Sequence, residues 1–564
     1  MTTLSGIPAS SGAVVGPFFL LHTNIPAPTD QPSPQGFEAE SQALNRAIES
    51  VGLDLKARAG QATGELQEIL LATAEIATDS AIAEEAARFI ASGHTASYAM
   101  VKATEVFQEL FAASGGYLAE RVSDVANIRD RVLCEIEGVS YPEIPHFNVP
   151  TVLIAQDLSP ADTAGLETGK VLAIITAGGG PTSHTAIIAR SNAIPAIVAC
   201  PGVVEAAQIN AGSIVAVNAT DGQITFNPDL ALRAQIASTI EKIKARKSRV
   251  INRSADGYVT TDGTAIPIYA NIGRLEDTVA AVAVGADGVG LLRTELLYLD
   301  RNDAPTLEEQ TAIYTELFQP FVGQKVVIRT LDAGADKPMA FINFDQEPNP
   351  ALGVRGYRTI FGHEHLMRTQ LQAIANASKE TSAEVWVMAP MITLPGESAA
   401  FISMAREYGL TKAGVMIEVP AAIFHADEIT KVCDFVSIGT NDLGQYLHAA
   451  DRESAPLAAF NDSWQPALLR AVHHVAQAGL KNNTPVGVCG EAASDPALAS
   501  VLVGLGVSSL SVSVATLADV AQVISAHSFQ QLVLAGSVAI ASNTAQDAKN
   551  SARAQLSQLE VLGL

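Results

Sequence analysis

Residues 177–191 read AGGGPTSHTAIIARS. Three glycines lead through Pro181, Thr182 and Ser183 to His184, where an apolar, helix-like stretch begins. A glycine-rich turn before a helix brings backbone N–H groups close to an anion, and the helix dipole favours negative charge there. An imidazole near neutral pH is partly unprotonated and nucleophilic. His184 could therefore accept a phosphoryl group, with the hydroxyls of Thr182 and Ser183 stabilising the new charge. There is no GK[ST], so this is not a Walker loop. The same residues would also suit a histidine that only caps its helix, and spacing alone does not choose between the two.

A second set of chemical residues lies in the C-terminal half, each just after an apolar β-type run. They are Arg293-Thr294-Glu295, Arg329-Thr330-Leu331-Asp332 with Lys337 shortly after, Glu418, Asn441-Asp442 followed by Arg452, and Cys489-Gly490-Glu491. The loop NPALGVRGYR adds Arg355 and Arg358. Arginine presents a planar fork matched to phosphate and carboxylate. Glu418 and Asp442 offer hard oxygens to Mg²⁺, which takes one or two carboxylates and completes its shell with substrate oxygens. The implied ligand is a small phosphorylated acid held by metal and arginines. Taken singly, each residue also has a bland reading: a salt-bridge partner, a loop anchor or, for Cys489, a small buried apolar side chain. The site reading rests on their convergence.

The elements that must position them follow from pattern. From Phe37 to Glu137 proline is absent and apolar residues recur at helical spacing, which predicts a helical bundle. Before and after it, short β-rich runs predict an α/β unit. The domains expected are an α/β domain over 1–20 plus 145–229, a helical insertion over 21–144, a connector helix over 230–257, and a last domain over 258–564. In that last domain eight β-type runs, from AIPIYANIG to SLSVSV, alternate with helical segments. This predicts a (β/α)8 barrel, whose site lies where strands end and loops begin. An open doubly wound sheet fits the strand count less well.

The chain has 564 residues and a formal net charge of −24, a poor basis for binding nucleic acid. Its four cysteines show no zinc or disulfide spacing, which suits a reducing cytoplasm. Neither a signal peptide nor a run of about 20 apolar residues is seen, so no membrane insertion is expected.

GGPTSHTAIIARS resembles the phosphohistidine signature of the phosphoenolpyruvate-utilising enzymes, and DFVSIGTNDLGQYLHAADR resembles their second signature. SGIPASSGAVVG, GVGLLRTELLYLDR, VVIRTLDAGADKP, NPALGVRGYR and GVCGEAASDP are similar to enzyme I of the sugar phosphotransferase system, nearly end to end. The resemblance implies that phosphoenolpyruvate binds in the barrel with Mg²⁺ and that His184 takes its phosphoryl group on the tele ring nitrogen, releasing pyruvate. The group would then pass to the carrier protein HPr, docked on the helical insertion. It further implies that Arg293, Arg329, Arg355 and Arg452 hold phosphate and carboxylate, with Lys337 and Asn441 nearby. Glu418 and Asp442 would bind the metal, Cys489 would protonate the enolpyruvate carbon, and Thr163 would contact the histidine. A homodimer through the barrel is implied as well. Pro181 departs from the pattern, standing where many relatives have arginine.

Overall fold

The structure is a computed structural model. It describes residues 1–21, 28–60, 65–114, 122–163, 166, 169–180, 183–192, 194–247, 253–298, 301–334, 339, 341–342, 347–452, 457 and 459–564. The chain divides into two compact units, Met1–Glu241 and Lys242–Leu564.

The first unit carries an eight-stranded sheet. Its strands are β1 (Thr2–Ser5), β2 (Ile7–Ser10), β3 (Ala13–Leu21), β4 (Thr151–Ala155), β5 (Val171–Thr176), β6 (Ala196–Val198), β7 (Ile214–Asn218) and β8 (Gln223–Phe226). They run in the order β1-β8-β7-β3-β4-β5-β6-β2. Strands β3 to β6 are parallel and the flanking pairs antiparallel. The parallel centre is buried on both faces, as the unbroken apolar run TVLIA of β4 requires. Between β3 and β4 the chain forms helices Phe37–Ala59, Glu65–Ala77, Ser80–Ala91, Ala96–Ser114 and Val122–Glu137. Leu44, Ile48, Val51 and Leu55 recur at three and four residues, and that stripe is the buried face of the first helix. Thr95 caps the fourth helix, its hydroxyl accepting from Tyr98 N at 3.3 Å. Ser97 is buried and bonds Glu137 instead, at 2.6 Å.

The second unit opens with a small antiparallel sheet of β9 (Arg253–Ser254), β10 (Gly257–Val259) and β11 (Ala265–Ile266). The run AIPIYANIG, which reads as one strand, is two. Pro267 has no N–H to give a ladder, and the chain changes partner there: β11 pairs with β10, while β12 (Ile268–Ile272) starts a barrel. The barrel continues through β13 (Gly288–Leu292), β14 (Lys325–Arg329), β15 (Glu384–Ala389), β16 (Ala413–Ile417), β17 (Phe435–Ile438), β18 (Val486–Val488) and β19 (Ser509–Ser513). All eight strands are parallel, and β12 pairing with β19 closes the ring. One large apolar core lies between strands and surrounding helices. A smaller one, Leu291, Val327, Met388, Met416, Phe435 and Cys489, includes residues of six consecutive strands or their ends. Among the described residues no single helix is long and apolar enough to cross a membrane.

Candidate active site

The α/β unit places His184 as the first residue of helix His184–Ser191. Ser183 is its N-cap and accepts from Ala186 N at 3.4 Å. The preceding turn needs glycine: Gly179 has φ +79°, and a Cβ there would come within 3.2 Å of Ser183 Oγ and 3.6 Å of Asp157 Oδ1. Asp157 thus borders the histidine loop, and burial raises its carboxyl above the usual range. Thr163 is buried at the end of the short helix Pro160–Thr163, which packs against the helix that His184 opens. Pro181, Thr182 and the His184 side chain lie outside the described residues.

In the barrel the strand-end residues meet at the C-terminal mouth, where barrel chemistry is built. Arg329 ends β14 and is buried. Its Nη2 donates to Glu295 Oε1 at 2.9 Å, and its Nη1 lies 3.1 Å from Asp332 Oδ2. Arg355, only 2 % exposed, sits 3.1 Å from Asp442 Oδ1 and 3.5 Å from Asp332 Oδ1. Asp332 is therefore held between two guanidiniums. Gly356, at φ +58°, lets this loop close, since a Cβ there would come 2.8 Å from Met391 and 3.2 Å from Asp332 Oδ1.

Glu418 follows β16 and is buried, accepting from Met391 N at 2.7 Å. Met391 has φ +58°, a strained conformation for a residue with a side chain, and the strain aims its N–H at the carboxylate. Gly439 makes room for the other oxygen, because a Cβ there would lie 2.5 Å from Glu418 Oε2. Asn441 Oδ1 accepts from Glu491 N at 2.9 Å and ties the loop after β17 to the loop after β18. Cys489, on the latter, is buried with its Sγ 3.6 Å from Ile438 O. Burial pushes the thiol up to about 11, a hydrogen bond from Ser437 pulls it down, and the charges of Arg329 and Arg293 reach it. Arg293 itself is exposed.

The charges decide what this mouth can hold. Buried Glu295, Asp332, Glu418 and Asp442 face buried Arg329 and Arg355, so four carboxylates meet two cations. Burial, then Asp442 and Asp332, push the Glu418 carboxyl up to about 8, against the pull of Arg329. Asp442 Oδ1 is buried, and its charged neighbour is the Arg355 guanidinium at 3.1 Å. Two buried carboxyl groups that disfavour each other's charge, Glu418 and Asp442, fit a divalent cation, which would take the place of the Glu418 proton. Asp332 and Glu295 were visible at strand ends yet had no role in the sequence reading. Arg452 is exposed and positioned through its backbone N–H to Gln445 Oε1 at 3.1 Å. Lys337 lies outside the described residues.

Known proteins resemble this chain along most of its length. The family models for PEP-utilising enzymes match the chain at residues 5–121 (N-terminal), 147–222 (mobile domain) and 247–529 (PEP-binding domain). The chain is 42% identical over 559 residues to the phosphoenolpyruvate-protein phosphotransferase of Streptomyces coelicolor, covering 99% of each chain. It is 35% identical over 529 residues to that of Geobacillus stearothermophilus, covering 91% of each. A Haloferax volcanii protein of the same name is 39% identical over 459 residues, covering 78% of this chain and 79% of the relative. Barrel, histidine helix and full-length likeness together place the chain in the enzyme I family, the phosphoenolpyruvate-protein phosphotransferases.

Proposed function

We propose that the barrel binds phosphoenolpyruvate with Mg²⁺, that His184 takes its phosphoryl group, and that the group then passes to a histidine of HPr. The observation that carries this reading is the barrel mouth: two arginines fixed by buried carboxylates beside the buried pair Glu418 and Asp442. Arg293, Arg329, Arg355 and Arg452 grip phosphate and carboxylate, with Lys337 and Asn441 beside them. Glu418 and Asp442 hold the cation, which when bound neutralises charge on phosphate and enolate oxygens. A ring nitrogen of His184 forms a bond to phosphorus as the bond to the enol oxygen breaks. The Cys489 thiol gives its proton to the methylene carbon, so pyruvate leaves and a thiolate remains. Such transfer needs positioning and charge neutralisation more than covalent help. The histidine belongs to one unit and the barrel to the other, so the reaction requires that they meet, with Thr163 and Thr182 supporting His184. HPr docking on the helical insertion, a homodimer through the barrel and a cytoplasmic setting complete the reading.

The test is incubation with ³²P-labelled phosphoenolpyruvate and Mg²⁺. Acid-labile label is expected on the wild type and transferable to HPr, with none on His184→Ala. Label retained on that variant, or a strict requirement for ATP, overturns the assignment. Sedimentation velocity checks the dimer.

A further inference from the structure

The barrel has a second, unassigned feature at its N-terminal mouth. Lys325 opens β14, the strand that Arg329 ends. Its Nζ lies 3.6 Å from the centre of the Trp386 ring, 5.2 Å from that of Tyr269 and 5.3 Å from that of Phe435. An aromatic cage thus encloses the amine, while the residue keeps some surface at the mouth.

Above this amine the barrel interior is polar along one side. Ser437, Gly487 and Ser509 occupy paired positions on β17, β18 and β19. A cavity of about 20 Å³ lies among them and is lined by Lys325 as well. That is room for one water, which needs ~10–15 Å³ and polar partners. Gly487 keeps the space open: a Cβ there would come 3.1 Å from Ser509 Oγ and 3.9 Å from Ser437 Oγ. At the upper end Ser437, which lines the cavity, is followed by Ile438, whose carbonyl the Cys489 Sγ approaches at 3.6 Å.

Cys489 has a supply problem. In the reading above, each turnover leaves it as a thiolate, yet it is 2 % exposed, beneath a mouth filled by charged side chains. We propose that Lys325 is the proton reservoir of Cys489, passing a proton through one cavity water and the Ser437 hydroxyl to the thiolate. Ser437 gives its own proton to sulfur and takes one from the water. The water takes one from the ammonium, and the neutral amine regains a proton from solvent at the N-terminal mouth. Burial lowers the Lys325 amine to about 8, with Lys412 adding to the shift and Glu384 opposing it. The thiol lies higher, so the transfer runs downhill.

This inference rests on Cys489 as the proton donor, and its test separates the two. The full chain is assayed with phosphoenolpyruvate, Mg²⁺ and HPr, following pyruvate by rapid quench in the first turnover and then at steady state. For Lys325→Met and Gly487→Ala the first turnover should stay within about twofold of wild type, because Cys489 starts protonated. Steady-state turnover should fall at least about tenfold, with a larger solvent deuterium isotope effect. Methylamine should restore Lys325→Ala in proportion to its concentration. Wild-type steady-state rates in both variants, or a first turnover slowed as much as the steady state, overturn the relay. Cys489→Ala is the control. If it turns over normally, the donor reading itself fails; if it is inactive while Lys325→Met is normal, the relay alone fails.

Discussion

Arg329 and Lys325 stand at opposite ends of β14, on the same face of the strand and about 13 Å apart along it. Both are cations withdrawn from water, and their surroundings treat them oppositely. Burial penalises the Arg329 charge, but Glu295, Asp332 and Glu418 more than offset it and raise its pKa. Lys325 has rings around it, with Glu384 opposite it on β15 and Lys412 near, so burial prevails and its pKa falls. The contrast shows how one strand serves two ends. At the C-terminal mouth the carboxylates lock the Arg329 charge in place, which binding an anionic substrate requires. The N-terminal mouth leaves its charge close to titration, which exchanging a proton requires.

The largest break in this comparison comes from removing the carboxylate that two guanidiniums share. Asp332→Ala leaves Arg329 and Arg355 buried around a missing partner. Removing one member of a buried ion pair costs about 3–5 kcal/mol. Both tryptophans of the chain, Trp386 and Trp464, lie in the barrel unit, so their fluorescence follows barrel unfolding without interference from the first unit. The melting temperature read this way should drop sharply and turnover should vanish. A melt within about 1 °C of wild type, where 1 kcal/mol moves a domain this large by about 1.5 °C, would show that the carboxylate network is not what holds the mouth.

Glu418 provides the next effect, and its sign is fixed by proton counts. Between its ordinary value of 4.5 and its folded value of about 8, the folded state keeps a proton that the unfolded state has lost. In metal-free protein the barrel should therefore lose stability as pH rises through that window, by on the order of a few kcal/mol. Glu418→Gln should flatten the slope, and Mg²⁺ should reverse it in the wild type alone. Equal pH slopes in the two proteins would remove Glu418 from the cation site.

The legible part of the molecule was the part where burial and chemistry share a pattern. Fully buried strands such as GVGLL and AGVMI read as apolar runs, and the polar residues just beyond them, Arg293, Arg329, Glu418, Asp442 and Cys489, fall at the mouth. Glu295 and Asp332 were equally visible, but their role depends on which guanidinium each faces, and sequence holds no distances. Lys325 was not legible at all. A lysine opening the run KVVIR looks like a strand's solvent-facing end, and its cage is assembled from β12, β15 and β17, far away in the chain. Pro267 was a readable signal passed over: it ends one sheet and begins another.

The smallest effect separates the two ends of β14 most cleanly. Below pH 8 the folded state must keep the Lys325 charge inside its aromatic cage, at a cost that the unfolded chain does not bear. From about 8 to 10.5 the folded state has lost this proton while the unfolded state retains it, so stability rises with pH across that window. Lys325→Met removes the charge and keeps the stem. At pH 7 it should melt higher than wild type, by the equivalent of about 1–2 kcal/mol, and the advantage should fade by pH 10.5. Arg329→Met, at the other end of the same strand, should instead melt lower at every pH, because its partners stay charged and buried. If Lys325→Met also melts lower at pH 7, the cage stabilises the ammonium by more than burial costs it, and the two ends of β14 differ in partner but not in kind.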